Sequence, residues 1–320
     1  ELAFNRLDAR FSAASATGGA VTVFPASNVL VQETRVEPFL SDVWTLSPAW
    51  KIEAGAIMEF STLKLSGDSS ARRSFQFIKP RLVATWTVDK ATTLEFRAER
   101  QVAQLDFGDF ATSVDLSLGN QVDAGNADLV PEKTNNFAAL VRHKFLDRGS
   151  IQFTASYQTV SDTQDLILIT TRDAAGSVIG RFDGAGNIGR SKRWNGELEI
   201  TLPFDWFTAP IGITGLELKY VGHYHGSRVI DPVTGRKRHM SYRPLWHQNW
   251  DLRHDIKSSG IVWGLSWAER AAGDAYFFNQ YRRETFGANV SVFVEYNKFK
   301  LGTLRLEGST FSTLYRNRFI

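Results

Sequence analysis

The sequence predicts an all-β fold, an antiparallel transmembrane β-barrel, and three observations predict it. Segments about ten residues long alternate apolar with polar or charged side chains, the period of a strand with one dry and one wet face. Many of these segments exceed the roughly five or six residues usual in soluble sheets and match the nine to eleven or so of a tilted membrane strand. Short and long links mostly take turns along the chain. That is the pattern of a barrel whose short turns gather at the periplasmic end and whose long loops gather outside.

Taken in order, about thirteen strands are expected, at residues 2–13, 28–44, 50–63, 73–88, 92–106, 134–146, 150–170, 190–203, 214–228, 240–256, 260–270, 276–297 and 301–318. Within 92–106, Leu94, Phe96 and Ala98 point one way while Glu95, Arg97 and Glu99 point the other. Within 150–170, Ile151, Phe153, Ala155 and Tyr157 alternate with Gln152, Thr154, Ser156 and Gln158. Gly196, Leu198, Ile200 and Leu202 oppose Asn195, Glu197, Glu199 and Thr201 in the same way. Leu216, Leu218 and Tyr220 oppose Glu217 and Lys219, and Ile261, Trp263, Leu265 and Trp267 form another apolar row. Leu304 and Leu306 alternate with Thr303, Arg305 and Glu307. The links at 46–48, 89–91, 146–149, 257–260 and 297–300 are short; those at 14–27, 64–72, 107–133, 171–189 and 229–239 are long and rich in Gly, Asp, Asn, Ser and Thr.

Composition narrows the function classes. The 320 residues carry 37 Lys+Arg against 34 Asp+Glu, a formal charge of +3 spread through the strands, with no basic stripe of the kind that grips nucleic acid. Zero cysteines remove disulfides, thiolate catalysis and cysteine-ligated metals. No run reaches the roughly 18 apolar residues of a helical span, which says nothing against a barrel. The 23 Phe, 9 Trp and 8 Tyr suit interfacial girdles; Trp44, Trp50, Trp86, Trp206, Trp246 and Trp263 fall near strand ends.

Motifs of catalysis are missing: no nucleophile elbow, phosphate loop, zinc-protease helix or paired carboxylates. No enzyme activity, cofactor or resident metal is expected. His223 and His225 share a face, but metal ligation needs further partners, and His239, His247 and His254 cannot be placed beside them from sequence. Asp183-Gly184-Ala185-Gly186-Asn187 lacks the spacing and bidentate Glu of a calcium loop and is expected to be a Gly-rich surface loop. The charges of the wet faces, Glu95, Arg97, Glu99, Arg142, Lys144, Glu197, Glu199, Glu217, Lys219, Arg253, Arg305 and Glu307, are expected to line a polar lumen.

Three stretches resemble the TonB-dependent receptors of Gram-negative outer membranes. The first runs from Arg97-Ala98-Glu99-Arg100 through Leu105-Asp106-Phe107-Gly108-Asp109-Phe110 to Gly125-Asn126-Ala127-Asp128-Leu129-Val130-Pro131-Glu132, like a strand, a long loop and the stretch that opens the next strand. The second is Gly186-Asn187-Ile188-Gly189-Arg190-Ser191 followed by Gly196-Glu197-Leu198-Glu199. The third is Gly302-Thr303-Leu304-Arg305-Leu306-Glu307-Gly308 with Tyr315-Arg316-Asn317-Arg318. The resemblance implies a barrel of about 22 strands with a plugged lumen, of which residues 1–320 form a barrel portion without plug, early strands or the last few. It also implies energy-coupled uptake of a scarce solute, such as a metal-siderophore, vitamin or saccharide, with TonB and a plug domain as partners. Outer-membrane lipids and lipopolysaccharide would surround the wall. Extracellular solute contacts are expected at Phe107, Phe110, Arg172, Arg181 and Phe182, and plug contacts among the lumen charges. The alternatives are a smaller self-closed porin-like channel, or a structural barrel subunit joined to another envelope protein.

Overall fold

A computed structural model describes residues 2–10, 15–17, 20–22, 26–115, 121–300, 302–310 and 314–319. Residues 11–13 of the first expected strand, and 301 and 311–313 of the last, lie outside the described residues. So do 14, 18–19 and 23–25 of the first long link and 116–120 of the third.

Alternating sequence gives one large antiparallel sheet. Its strands are β1 (Leu2–Arg10), β2 (Asn28–Val36), β3 (Phe39–Ser47), β4 (Trp50–Gly67), β5 (Ala71–Thr87), β6 (Thr92–Val102), β7 (Lys133–Phe145) and β8 (Gly149–Ser161). After a second hairpin, β9 (Gln164–Arg172) and β10 (Val178–Asn187), the wall resumes with β11 (Ser191–Pro203), β12 (Leu216–Ile230), β13 (Trp246–Ile256) and β14 (Ile261–Arg270). The chain finishes with β15 (Gly273–Tyr276), β16 (Tyr281–Phe286), β17 (Asn289–Tyr296), β18 (Leu304–Ser309) and β19 (Leu314–Phe319). The wall order is β1-β2-β4-β5-β6-β7-β8-β11-β12-β13-β14-β17-β18, a simple meander, with β3 also on β4 and Lys237–Arg238 on β12. Among the described residues β1 and β18 do not pair with each other, so the wall is open rather than a small closed barrel.

Several expected strands divide, each for a local reason. The expected 28–44 strand breaks at Glu37-Pro38, because proline has no N–H for the ladder; β2 and β3 both pair with the long β4, and the Pro38 carbonyl accepts from Met58 N at 2.9 Å. The expected 64–72 link shrinks to Asp68–Ser70, since pairing continues out to Leu65 and Ala71 and the Asp68 carboxylate accepts from Asn28 N at 2.8 Å. The expected 150–170 strand leaves the wall where Asp162 turns left-handed at φ 55°. The expected 171–189 link is mostly strand, with Asp173–Ser177 turning β9 into β10. Asp183–Asn187 therefore belongs to a strand and not to a surface loop. The expected 276–297 strand falls into β15, β16 and β17, and the final one into β18 and β19. Finally, the link after β11 holds a short helix, Asp205–Thr208, and a 3₁₀ turn, Ala209–Ile211, at the short-turn end.

Register assembles the two faces. Paired residues of an antiparallel sheet point the same way. Trp86, Leu94 and Val141 line up with Phe153 and Leu198. Leu218, Leu252, Leu265 and Val292 continue the same side. Phe96, Phe153, Trp250, Trp267 and Leu306 on this side are all exposed, 41–71% among the last three. Such a broad exposed apolar surface needs a nonaqueous neighbour, and its aromatics recur near both ends, as with the stacked Trp50 and Trp86, 5.4 Å apart. The opposite side is mostly polar, with single apolar residues such as Val83 and Val262 buried among its charges. Its long-link end alone carries a dry core: Val29, Val31, Leu63 and Leu65 are buried under Leu105, Phe110 and Leu129.

Candidate functional site

The polar face brings the sequence-predicted charges together and pairs most of them within the wall. Arg97 reaches Glu95 at 2.7 Å, and Glu99 accepts from Gln101 at 2.7 Å and Asn136 at 3.2 Å. Arg142 donates to Gln152 at 2.8 Å, which in turn reaches Glu199 at 3.3 Å. Glu197 meets His223 at 3.2 Å, and Glu217 meets Lys219 at 4.0 Å. Arg305 lies between Glu307 at 3.0 Å and Glu295 at 3.4 Å. Arg253 stacks 5.8 Å from the Phe293 ring, and Lys144 is exposed. Sequence reasoning missed the Lys79 hub, which holds Glu37 at 2.5 Å and Glu59 at 2.9 Å. Its only signal was a lysine set between Ile78 and Pro80 in a long strand.

Over this face, at the long-link end, the links build a lid. Leu105, Phe107, Phe110, Ala127 and Leu129 of the link 103–132 pack on the ends of β1, β2, β4 and β5, and the 3₁₀ turn Phe107–Phe110 starts there under an Asp106 cap. Phe110, expected as an exposed solute contact, is fully buried in this core, and Phe107 packs half-buried against it. The reason is that the apolar strand ends beneath need covering. Arg172 and Arg181 are exposed on the β9–β10 hairpin, while Phe182 is half-buried.

The two Gly-Asn stretches lock lid and hairpin together. Asn126 Nδ2 donates to Ala185 O at 2.9 Å. Asn187 accepts from Val130 N at 2.9 Å and donates to Val130 O at 3.0 Å and Asp162 O at 2.7 Å. Glu132 then receives a two-pronged grip from Arg193, both contacts 2.6 Å. Asp183 accepts from Phe278 N at 2.8 Å, tying the hairpin to a third link, and Arg238 bridges Asp165 and Asp231 at 2.7 Å each. Burial, with Asp106 and Asp123 nearby, pushes the Asp109 carboxyl up to about 6. Burial also raises Asp183 to about 6, against the Phe278 N–H and with Asp123.

On β12, β13 and β14 lies a cavity of about 540 Å³ lined by His225, Arg243, His247, Asn249, Glu269, Arg270 and Asn289 among others. Register supplies what sequence spacing could not: His247 pairs with His223, and their rings stack 4.2 Å apart, with His225 5.4 Å from His247. The rings are within 11–29° of parallel, so their lone pairs do not converge on one point. Among the described residues no group of three or more His, Cys, Asp or Glu is placed to hold a metal ion. His254 is far away in register, accepting from Trp263 Nε1 at 3.2 Å. Arg243 donates to Asn195 at 3.2 Å, and Arg270 stands 3.3 Å over the Phe286 ring. Neither has a carboxylate partner among the described residues. Two guanidiniums thus face an open cavity, which Glu269 also lines.

A meander of long strands with one greasy outer face, a charged inner face and a lid of long links is the wall of an outer-membrane β-barrel. The sequence matches the family described as TonB dependent receptor-like, beta-barrel, over residues 2–309, and the chain belongs to it. It is an outer-membrane protein. No curated protein matches the sequence. Among solved structures it resembles the alcaligin outer-membrane receptor FauA from Bordetella pertussis, at TM-score 0.54 and 11% identity, covering 92% of this chain and 46% of that one. It also resembles the siderophore receptor PiuA from Acinetobacter baumannii, at TM-score 0.59 and 15% identity, over 88% and 39% of the two chains. The FrpB iron transporter from Neisseria meningitidis aligns at 0.59 and 13%, over 89% and 42%. The chain spans less than half the length of these structures.

Proposed function

We propose that this chain is the wall portion of a receptor for TonB-dependent, energy-coupled uptake of a small solute across the outer membrane. In this reading residues 1–320 carry no plug, and the remainder of the receptor supplies the plug, the TonB contact and the strands that pair with β1 and β18. The open edges support it, because unpaired backbone groups in hydrocarbon each cost several kcal/mol. The observation that carries the reading is the cavity on the polar face, where Arg243 and Arg270 make no ion pair among the described residues and stand beside His225 and His247. A guanidinium offers paired donors to a carboxylate or phosphate, so the solute, or its chelating part, is an anion. The charges from Glu95 to Glu307 stiffen the wall and face the plug.

The test is uptake into cells making the whole receptor, with and without functional TonB, across ferric citrate, cobalamin and neutral disaccharides. Uptake of the anionic complex that needs both receptor and TonB supports the reading. Solute flux or ion conductance that persists without TonB marks a passive channel instead, and no flux with a stable co-purifying envelope protein marks a structural subunit.

A further inference from the structure

The cavity arginine at the end of β14 is held by a ring and not by a carboxylate. The Arg270 guanidinium carbon stands 3.3 Å from the centroid of the Phe286 ring, and both side chains line the cavity. Arg270 makes no ion pair among the described residues. Glu269, the carboxylate beside it in the same lining, accepts instead from Gln248 Nε2 at 2.5 Å. A guanidinium can be held in two ways. A carboxylate takes the in-plane N–H edge and cancels the charge, as Glu132 does to Arg193 at 2.6 Å. An aromatic ring takes the flat face and leaves both the N–H edge and the charge available. Elsewhere the wall combines the two: Arg305 lies 4.1 Å over Phe293 and is also bound by Glu295 and Glu307.

Phe286 comes from outside the wall. It ends β16, which pairs with β15 and β19 in a separate three-stranded sheet. Wall strand β14 therefore supplies the charge, and a different sheet supplies the ring. β16 is itself firmly seated: Arg282, 1% exposed, donates to Tyr242 Oη at 2.7 Å and stacks 4.6 Å from the Phe277 ring. Tyr242 holds a left-handed backbone at φ 58°, uncommon for a bulky side chain, and directly precedes Arg243. The same strand thus also braces the residue next to the second cavity guanidinium.

We propose that Phe286 is a positioning residue of the solute site: its ring fixes the plane of the Arg270 guanidinium and leaves the N–H edge, already oriented, for an anionic solute. A long side chain that is ordered only on binding loses its rotamer freedom at that moment; the stack takes that loss in advance. The inference rests on the anionic-solute reading above and adds the residue that sets the geometry of one arginine.

The experiment uses the whole receptor in lipid nanodiscs, with each variant first checked for the heat-shifted mobility of a folded barrel. The first reading needs no solute: phenylglyoxal labelling of Arg270, followed by peptide mass spectrometry with exposed Arg172 as the reference. The ring covers one face of the guanidinium, so Phe286→Leu should speed labelling about threefold or more, while Phe286→Trp should label as wild type. The second reading is equilibrium binding of ferric citrate, with maltose as the neutral control. Phe286→Leu should weaken citrate binding about three- to tenfold, with Phe286→Trp restoring it and maltose unaffected. Added to Arg270→Gln, it should cost nothing further, because the ring acts through the arginine. Unchanged Arg270 labelling in Phe286→Leu, or losses that simply add in the double variant, would overturn the assignment. Faster Arg270 labelling together with citrate binding that ignores Arg270→Gln upholds the positioning and sinks the anionic-solute reading instead.

Discussion

Trp194 lies across Gly226. The two are register partners on the outward face, and a Cβ at 226 would run into the indole ring. The glycine makes a shelf on which the indole lies flat at the edge of the hydrocarbon zone, covering backbone that an ordinary side chain would have covered. Gly226→Ala must swing the indole off this shelf. Overpacking of this kind costs about 1–3 kcal/mol, so the urea midpoint of the whole receptor in lipid vesicles should fall. An unchanged midpoint would show that the indole moves aside freely.

The grip of Arg193 on Glu132 joins wall to lid, and both side chains are about nine-tenths buried, at 10% and 12% exposed. Removing one partner leaves the other charge uncompensated, a loss of about 3–5 kcal/mol. Glu132→Ala should therefore loosen residues 126–132 and 162–164 together, because Glu132 also accepts from Gln164 N at 3.2 Å. Limited proteolysis should cut the lid of the variant faster. Arg193→Lys keeps the charge but not the planar fork and should resemble the alanine change more than wild type.

The two cavity guanidiniums, Arg243 and Arg270, predict a graded loss of solute affinity. A hydrogen bond to a charged group contributes about 1.5–3 kcal/mol, so Arg243→Gln or Arg270→Gln should each weaken binding of an anionic solute about tenfold or more. Binding of a neutral one should not change. Equal losses for both solute classes in equilibrium binding would show that the arginines shape the cavity rather than recognise charge.

Asp109 and Asp183 make the lid sensitive to pH. Closed, each keeps its proton up to about 6; opened and hydrated, each loses it near the ordinary 3.8. Across that window the open lid has released protons that the closed lid retains, so closure weakens as pH rises from about 4 to about 6 and is strongest below. Hydrogen exchange of residues 103–115 and 164–187, corrected for the intrinsic pH effect, should show more protection at pH 4 than at pH 7. Asp109→Asn/Asp183→Asn should flatten the difference, and a flat wild-type profile would refute it.

Much of the wall was legible in the sequence because a strand's side chains alternate whatever the partner. Leu94, Phe96 and Ala98 against Glu95, Arg97 and Glu99 define two faces before any pairing is known, and the expected order of wall strands is the observed one. Breaks in that order had signals too local to weigh from sequence: one proline at Pro38, and one left-handed residue, Asp162, that redirects the chain into β9.

Sequence by itself determined the period, the length of the strands and which side of each is greasy, since these follow from chain geometry and the aversion of apolar surface to water. Only the tertiary structure decided what the links do. Phe110 looked like an exposed contact and is buried, because the apolar strand ends it covers lie about 45 to 80 residues away in the chain. His247 joins His223 and His225, and Arg243 and Arg270 share one cavity, through a register set by non-local pairing. Alternation fixes which way a side chain points, but not which distant side chain stands opposite it.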